Sequence, residues 1–122
     1  MPLIDNPTHI FEPTPLSCGQ AVIAMATGID VETVIESCGT ENETDLKTMK
    51  HVFKDLGVQV AEQRIQVTEK NQLPKCALLS LETPKCWHWS LYMGGRFYDP
   101  EYGLLDDFPP SARRYFWELK NI

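Results

Sequence analysis

Pro15-Leu16-Ser17-Cys18-Gly19-Gln20-Ala21-Val22-Ile23-Ala24-Met25-Ala26-Thr27-Gly28 is the stretch on which the fold turns. Its front is a proline-bearing loop and its body is apolar. Ala21, Val22, Ala24, Met25 and Ala26 leave almost no polar face, which predicts a buried central helix starting near Ser17 or Cys18. Gly28 suits the left-handed position that ends such a helix. A cysteine therefore stands at the N-terminus of a buried helix. Upstream, Pro2, Pro7, Pro13 and Pro15 in residues 1–17 predict an extended lead-in.

Downstream the pattern first stays helical. Asp30 reads as the N-cap of a short helix through Val31, Val34 and Ile35, broken at Cys38-Gly39-Thr40. Thr44 or Asp45 opens a third helix whose apolar residues Leu46, Met49, Phe53 and Leu56 fall on one face, with Gly57 as its stop. The period then changes. Val58, Val60, Ile65 and Val67 alternate as in strands. Cys76-Ala77-Leu78-Leu79-Ser80-Leu81 predicts a buried strand, Trp87 to Met93 another, Gly94-Gly95 a hairpin turn, and Arg96 to Asp99 the return strand. Asp106 to Pro110 reads as a loop and Tyr115 to Leu119 as a last strand. Helices first and strands afterwards predict one α+β domain over 1–122, a central helix packed on a C-terminal antiparallel sheet.

The hairpin also aligns chemistry. With a two-residue turn, Met93 faces Arg96, Leu91 faces Tyr98 and Ser90 faces Asp99. Side chains alternate along a strand, so His88, Ser90 and Asp99 share one face, with His88 diagonal to Asp99. A three-residue turn would reverse that parity. On this reading Trp87 and Trp89 point to the opposite face as core or partner contacts, while Tyr92 and Phe97 line a pocket on the His88 face. Cys18, His88 and Asp99 then form a nucleophile, its base and the group that orients the base. The helix dipole and a nearby imidazolium both favour thiolate. Gly19 leaves room for substrate, and the Cys18 N–H is an oxyanion donor at the helix start.

Ser17-Cys18-Gly19-Gln20-Ala21 before an apolar helix, Leu73-Pro74 with Ala77-Leu78-Leu79 and Leu81, His88-Trp89, then Tyr98-Asp99-Pro100 and Gly103 together resemble the papain-like cysteine peptidase superfamily. Within it the chain is most similar to the bacteriocin-processing peptidase domain of ABC transporters and its small stand-alone relatives. The resemblance covers most of residues 10–105. It implies a papain-like fold, thiol peptidase activity, and the roles of the family's Cys, His and Asp for Cys18, His88 and Asp99. One position departs. The family carries an oxyanion-hole Gln six residues before the nucleophile, where this chain has Glu12. An ionised Glu accepts but cannot donate. Glu12 is then protonated, or a loop shift supplies another donor, or hydrolysis is impaired. Gln20 and His9 are the other donors weighed, and Ser90 completes the site-lining set.

Composition bounds the rest. The 122 residues suit a domain with a real core, at 43% hydrophobic residues. A net charge of −6 argues against a nucleic-acid partner. A mean hydropathy of −0.27 and the lack of a long apolar run argue against a membrane span. The start Met1-Pro2-Leu3-Ile4-Asp5 has no basic or apolar signal region, which predicts a cytoplasmic protein, secretion as an effector remaining open. Such a setting keeps Cys18, Cys38, Cys76 and Cys86 reduced. No two of them have the spacing of a zinc site, so neither metal nor organic cofactor is implied. His51 reads as solvated, Asp106-Asp107 as loop charge, and Glu41, Glu43 and Asp45 as an acidic helix entrance. The expected partner is a peptide or protein substrate, and the oligomeric state is open. The brevity suits a bacterial or phage accessory protein. Three functions share these residues: a cysteine peptidase acting on a peptide or isopeptide bond, a glutamine deamidase or acyl transferase, and an inactive papain-like binding module.

Overall fold

The computed structural model describes residues 3–122; the Met1-Pro2 start of the lead-in lies outside them. Helix α1 spans Cys18–Thr27, and its residues Cys18 to Ala26 are all buried. Gly28 ends it at φ 73°, its N–H donating to the Ala24 carbonyl, a conformation that a side chain would strain. Helix α2 spans Val31–Cys38 with Asp30 accepting from the Glu32 N–H. Helix α3 spans Leu46–Asp55 with Asp45 accepting from the Thr48 N–H. Asp30 therefore acts as the cap that local sequence predicts, and of the two candidates Thr44 and Asp45 it is Asp45 that caps α3.

Seven antiparallel strands follow among the described residues: β1 Val58–Val60, β2 Ile65–Gln66, β3 Cys76–Glu82, β4 Trp87–Met93, β5 Arg96–Asp99, β6 Gly103–Leu105 and β7 Arg114–Asn121. Their order is β1-β7-β3-β4-β5-β6, with β2 also paired to β7. The architecture is α+β, with the helices on one face of the sheet. No helix among the described residues is long and apolar enough to cross a membrane.

Two cores lie on the two faces of the sheet. Between helices and sheet, Val22, Ile23 and Met25 of α1 join Met49 and Phe53 of α3 against Leu78, Leu91 and Trp117. On the other face Ala77, Leu79, Leu81, Tyr92, Phe97 and Phe116 form a second cluster, covered by Leu73, Leu105 and Phe108. Strand β3 is buried on both faces because it is central, which explains its unbroken apolar run. This second core corrects the expectation for Tyr92 and Phe97. Their rings lie 5.0 Å apart, and Phe97 meets Phe108 at 4.7 Å, so they pack into this core and are not among the walls of the cleft over Cys18. Strand β6 and the 3₁₀ turn Lys70–Gln72 were not legible in the sequence, since both are too short to show a period.

The β4–β5 turn decides the site. Leu91 pairs with Tyr98, Tyr92 with Phe97 and Met93 with Arg96. Gly94 and Gly95 take φ of 57° and 94°, the two-residue geometry that matches strand twist and needs positive φ twice. The parity predicted for His88 and Asp99 therefore holds.

Candidate active site

The site lies where α1 begins and β4 begins. Residues 14–17 form a closed turn: the Thr14 N–H donates to Ser17 Oγ at 2.9 Å and the Ser17 N–H to the Thr14 carbonyl at 3.1 Å. The Ala21 N–H bonds the Ser17 carbonyl, so the helix starts there. Cys18 is thus presented at the first turn. A cleft of about 480 Å³ opens over it, with Glu12, Glu43, Trp87, His88, Trp89 and Glu101 among its walls.

His88 donates from Nε2 to Asp99 Oδ2 at 2.9 Å, and both side chains are almost wholly buried. Asp99 is fully satisfied. Oδ2 also accepts from Ser90 Oγ at 2.8 Å, and Oδ1 accepts from the N–H groups of Glu101 and Tyr102, both at 2.9 Å. Burial by itself pushes the Asp99 carboxyl up; the hydrogen bond and charge of His88, with the Tyr102 and Glu101 N–H groups, outweigh it and hold it below the usual range. An ionised Asp99 accepts only, so Nε2 carries a proton and Nδ1 is the nitrogen left for chemistry. Ser90, fully buried, positions Asp99.

Cys18 Sγ accepts from the Trp89 N–H at 3.4 Å. Burial, with smaller additions from Glu12 and Cys86, pushes the thiol up to about 11, against the pull of the Trp89 and Gly19 N–H groups. The expectation of a thiolate favoured by the helix end is corrected on this point: desolvation wins in this arrangement. The Glu12 carboxyl is also raised, by burial first and then by Glu101 and Asp99, against His88 and Lys85.

Around these groups several sequence-predicted residues take other roles. Gly19 does not open toward substrate. It is buried, and a Cβ there would run into Thr44 Oγ1, Met49 Sδ and Trp89 Cδ1. Gln20 is fully buried and is not an oxyanion donor here: its Nε2 donates to the carbonyls of Thr40 at 2.7 Å and Asn42 at 2.9 Å. His9 bonds the Asp99 carbonyl oxygen through Nε2 at 2.8 Å. The expectation that Trp87 and Trp89 serve as core or partner contacts away from the site is corrected: both line the cleft together with His88. The Trp89 indole donates to the Thr44 carbonyl at 2.9 Å, which fixes the α2–α3 loop as the opposite wall. His51 is exposed and 3.3 Å from Asp55.

Sequence reasoning missed Glu101 and Lys85. Glu101 Oε1 lies 3.6 Å from His88 Nδ1, and its Oε2 accepts from Lys85 Nζ at 3.0 Å. The available signal was Asp99-Pro100: an Asp side chain that caps the N–H groups two and three residues on folds Glu101 back over the strand.

No family model and no curated protein matches the chain. Among solved structures it is similar to a double glycine motif protease from an AMS/PCAT transporter, solved in complex with the leader peptide. The TM-score is 0.63, with 17% identity over 93% of each chain. At that identity the likeness establishes the papain-like fold.

Proposed function

We propose that this chain is a cysteine peptidase acting on a peptide, with Cys18 as nucleophile, His88 as its base and Asp99 as the group that orients His88. One observation carries the reading: a buried His88–Asp99 pair in the wall of the cleft that Cys18 also lines. The chemistry follows from the atoms. Nδ1 takes the proton of the Cys18 thiol as Sγ attacks the carbonyl carbon. The same proton passes to the leaving amine, giving a thioester. A water then gives its proton to Nδ1 and attacks the thioester carbon; the C–S bond breaks, the acid is released and Sγ takes the proton back from Nδ1. Asp99 holds the Nε2–H tautomer throughout. Glu12, when protonated, is placed among the cleft walls to donate to the oxyanion, and its raised carboxyl suits that role. A peptide substrate accords with the leader peptide held by the structural neighbour.

The test is incubation of the full chain with synthetic leader-type peptides containing a double glycine, followed by mass spectrometry, with Cys18→Ala and His88→Ala as controls. New termini that both variants abolish support the reading. A side-chain amide turned to acid with the backbone intact would support the deamidase instead. Peptide binding without any product, equal in Cys18→Ala, would support the inactive binding module, the reading that the neutral Cys18 thiol favours.

A further inference from the structure

The catalytic proton has to reach Nδ1 of His88, and that nitrogen already has a neighbour. Glu101 Oε1 stands 3.6 Å from it, while Cys18 Sγ takes its hydrogen bond from the Trp89 N–H. Lys85 anchors the other oxygen of the same carboxylate at 3.0 Å. The chain of contacts runs Asp99, His88, Glu101, Lys85, with the imidazole between two carboxylates. An ionised carboxylate beside Nδ1 is satisfied by a proton on that nitrogen. An Nδ1–H directed at Glu101 is not free to pair with a thiolate at Cys18.

We propose that Glu101, held by Lys85, is a positioning residue that competes with Cys18 for Nδ1 of His88 and so restrains formation of the Cys18 thiolate. The inference rests on the reading of His88 as the base for Cys18. The geometry gives the competition a direction. Glu101 lines the same cleft as Cys18, whose thiol burial pushes up, and Lys85 offsets part of the Glu101 charge. The other charged or titratable groups around the two residues are Glu12 from the lead-in, Glu43 from the α2–α3 loop, Asp99 of β5, Cys86 of the β3–β4 turn, and Tyr102, whose ring lies 6.1 Å from the imidazole. Glu101 meets Nδ1 and Lys85 holds the other oxygen of that carboxylate, so the two residues can be varied separately.

The test is the pH dependence of iodoacetamide alkylation at Cys18 in the full chain, read by peptide mass spectrometry. Buried Cys76 serves as an internal check that the fold is unchanged. In Glu101→Gln the pH midpoint moves down by about half a unit or more, as removal of a nearby charge requires. In Lys85→Met it moves up, and in the double variant the Lys85 effect shrinks. A merely structural role would move both single variants the same way. An unchanged or raised midpoint in Glu101→Gln, with Cys76 still protected, overturns the proposal. His88→Ala separates the two levels. If it alters Cys18 reactivity while Glu101→Gln does not, the Glu101 role fails and the catalytic pair stands. If it alters nothing, the peptidase reading fails with it.

Discussion

Gly19→Ala puts one methyl group at the tightest point of the site, and its cost can be worked through. The added Cβ would overlap Thr44 Oγ1, lie 2.9 Å from Met49 Sδ and lie 3.1 Å from Trp89 Cδ1. None of these can retreat freely. Met49 is fully buried, the Thr44 hydroxyl donates to Met49 Sδ at 3.2 Å, and the Trp89 indole holds the Thr44 carbonyl. Alanine improves helix propensity by at most about 1 kcal/mol. Overpacking costs about 1–3 kcal/mol, and a strained Thr44 or Trp89 hydrogen bond costs about 1 kcal/mol more. The clash therefore wins, with a net loss of about 1–3 kcal/mol. For a domain of this size that lowers Tm by roughly 3–10 °C in differential scanning calorimetry. A second variant isolates the cause. Thr44→Ala removes the worst overlap, so the Gly19→Ala penalty should shrink in that background. A Tm equal to or above that of the parent, or the same penalty with and without Thr44, would refute the reasoning.

Four further outcomes follow from other contacts around the cleft. Asp99 is held below the usual carboxylate range, so its stabilisation is present above the unfolded pKa near 4 and lost as pH falls through the folded value; Tm measured from pH 6 to 3 should fall less steeply in Asp99→Asn than in the parent. Asp99→Asn should also cut turnover of any cleaved peptide by about a thousandfold or more, because the orienting acceptor for Nε2–H is lost. Glu12→Gln supplies a donor that does not titrate, so hydrolysis should rise at neutral pH and lose its decline on the alkaline side of the Glu12 titration; an unchanged pH–rate profile in steady-state assays would show that Glu12 does not serve the oxyanion. Gln20→Met leaves the Thr40 and Asn42 carbonyls without their buried donor, which costs about 1–3 kcal/mol and should show as faster hydrogen exchange across residues 40–45.

What was legible in the sequence is what short-range rules control. Asp30 and Asp45 cap their helices because an aspartate oxygen reaches the N–H two or three residues on, wherever the rest of the chain lies. Gly94 and Gly95 set the β4–β5 register, and that register alone brings His88 to Asp99. The apolar girth of α1 announced its burial, and the resemblance supplied the position of Glu12. The remaining features depend on segments distant in the chain. Gln20 turns inward because loop carbonyls more than twenty residues away need its donor. Gly19 is required by Thr44, Met49 and Trp89, not by a substrate. Tyr92 and Phe97 became core because Phe108 and Phe116 covered the second face of the sheet. Burial, which pushes the Cys18 thiol up, and Glu101, which meets Nδ1, arise only once α1, β4 and the turn after β5 are packed together. Sequence patterning thus determined which residues meet at the candidate site, since period and turn parity are local. Tertiary packing decided how much charge and how little water surround them, since desolvation and electrostatic competition exist only between segments brought into contact.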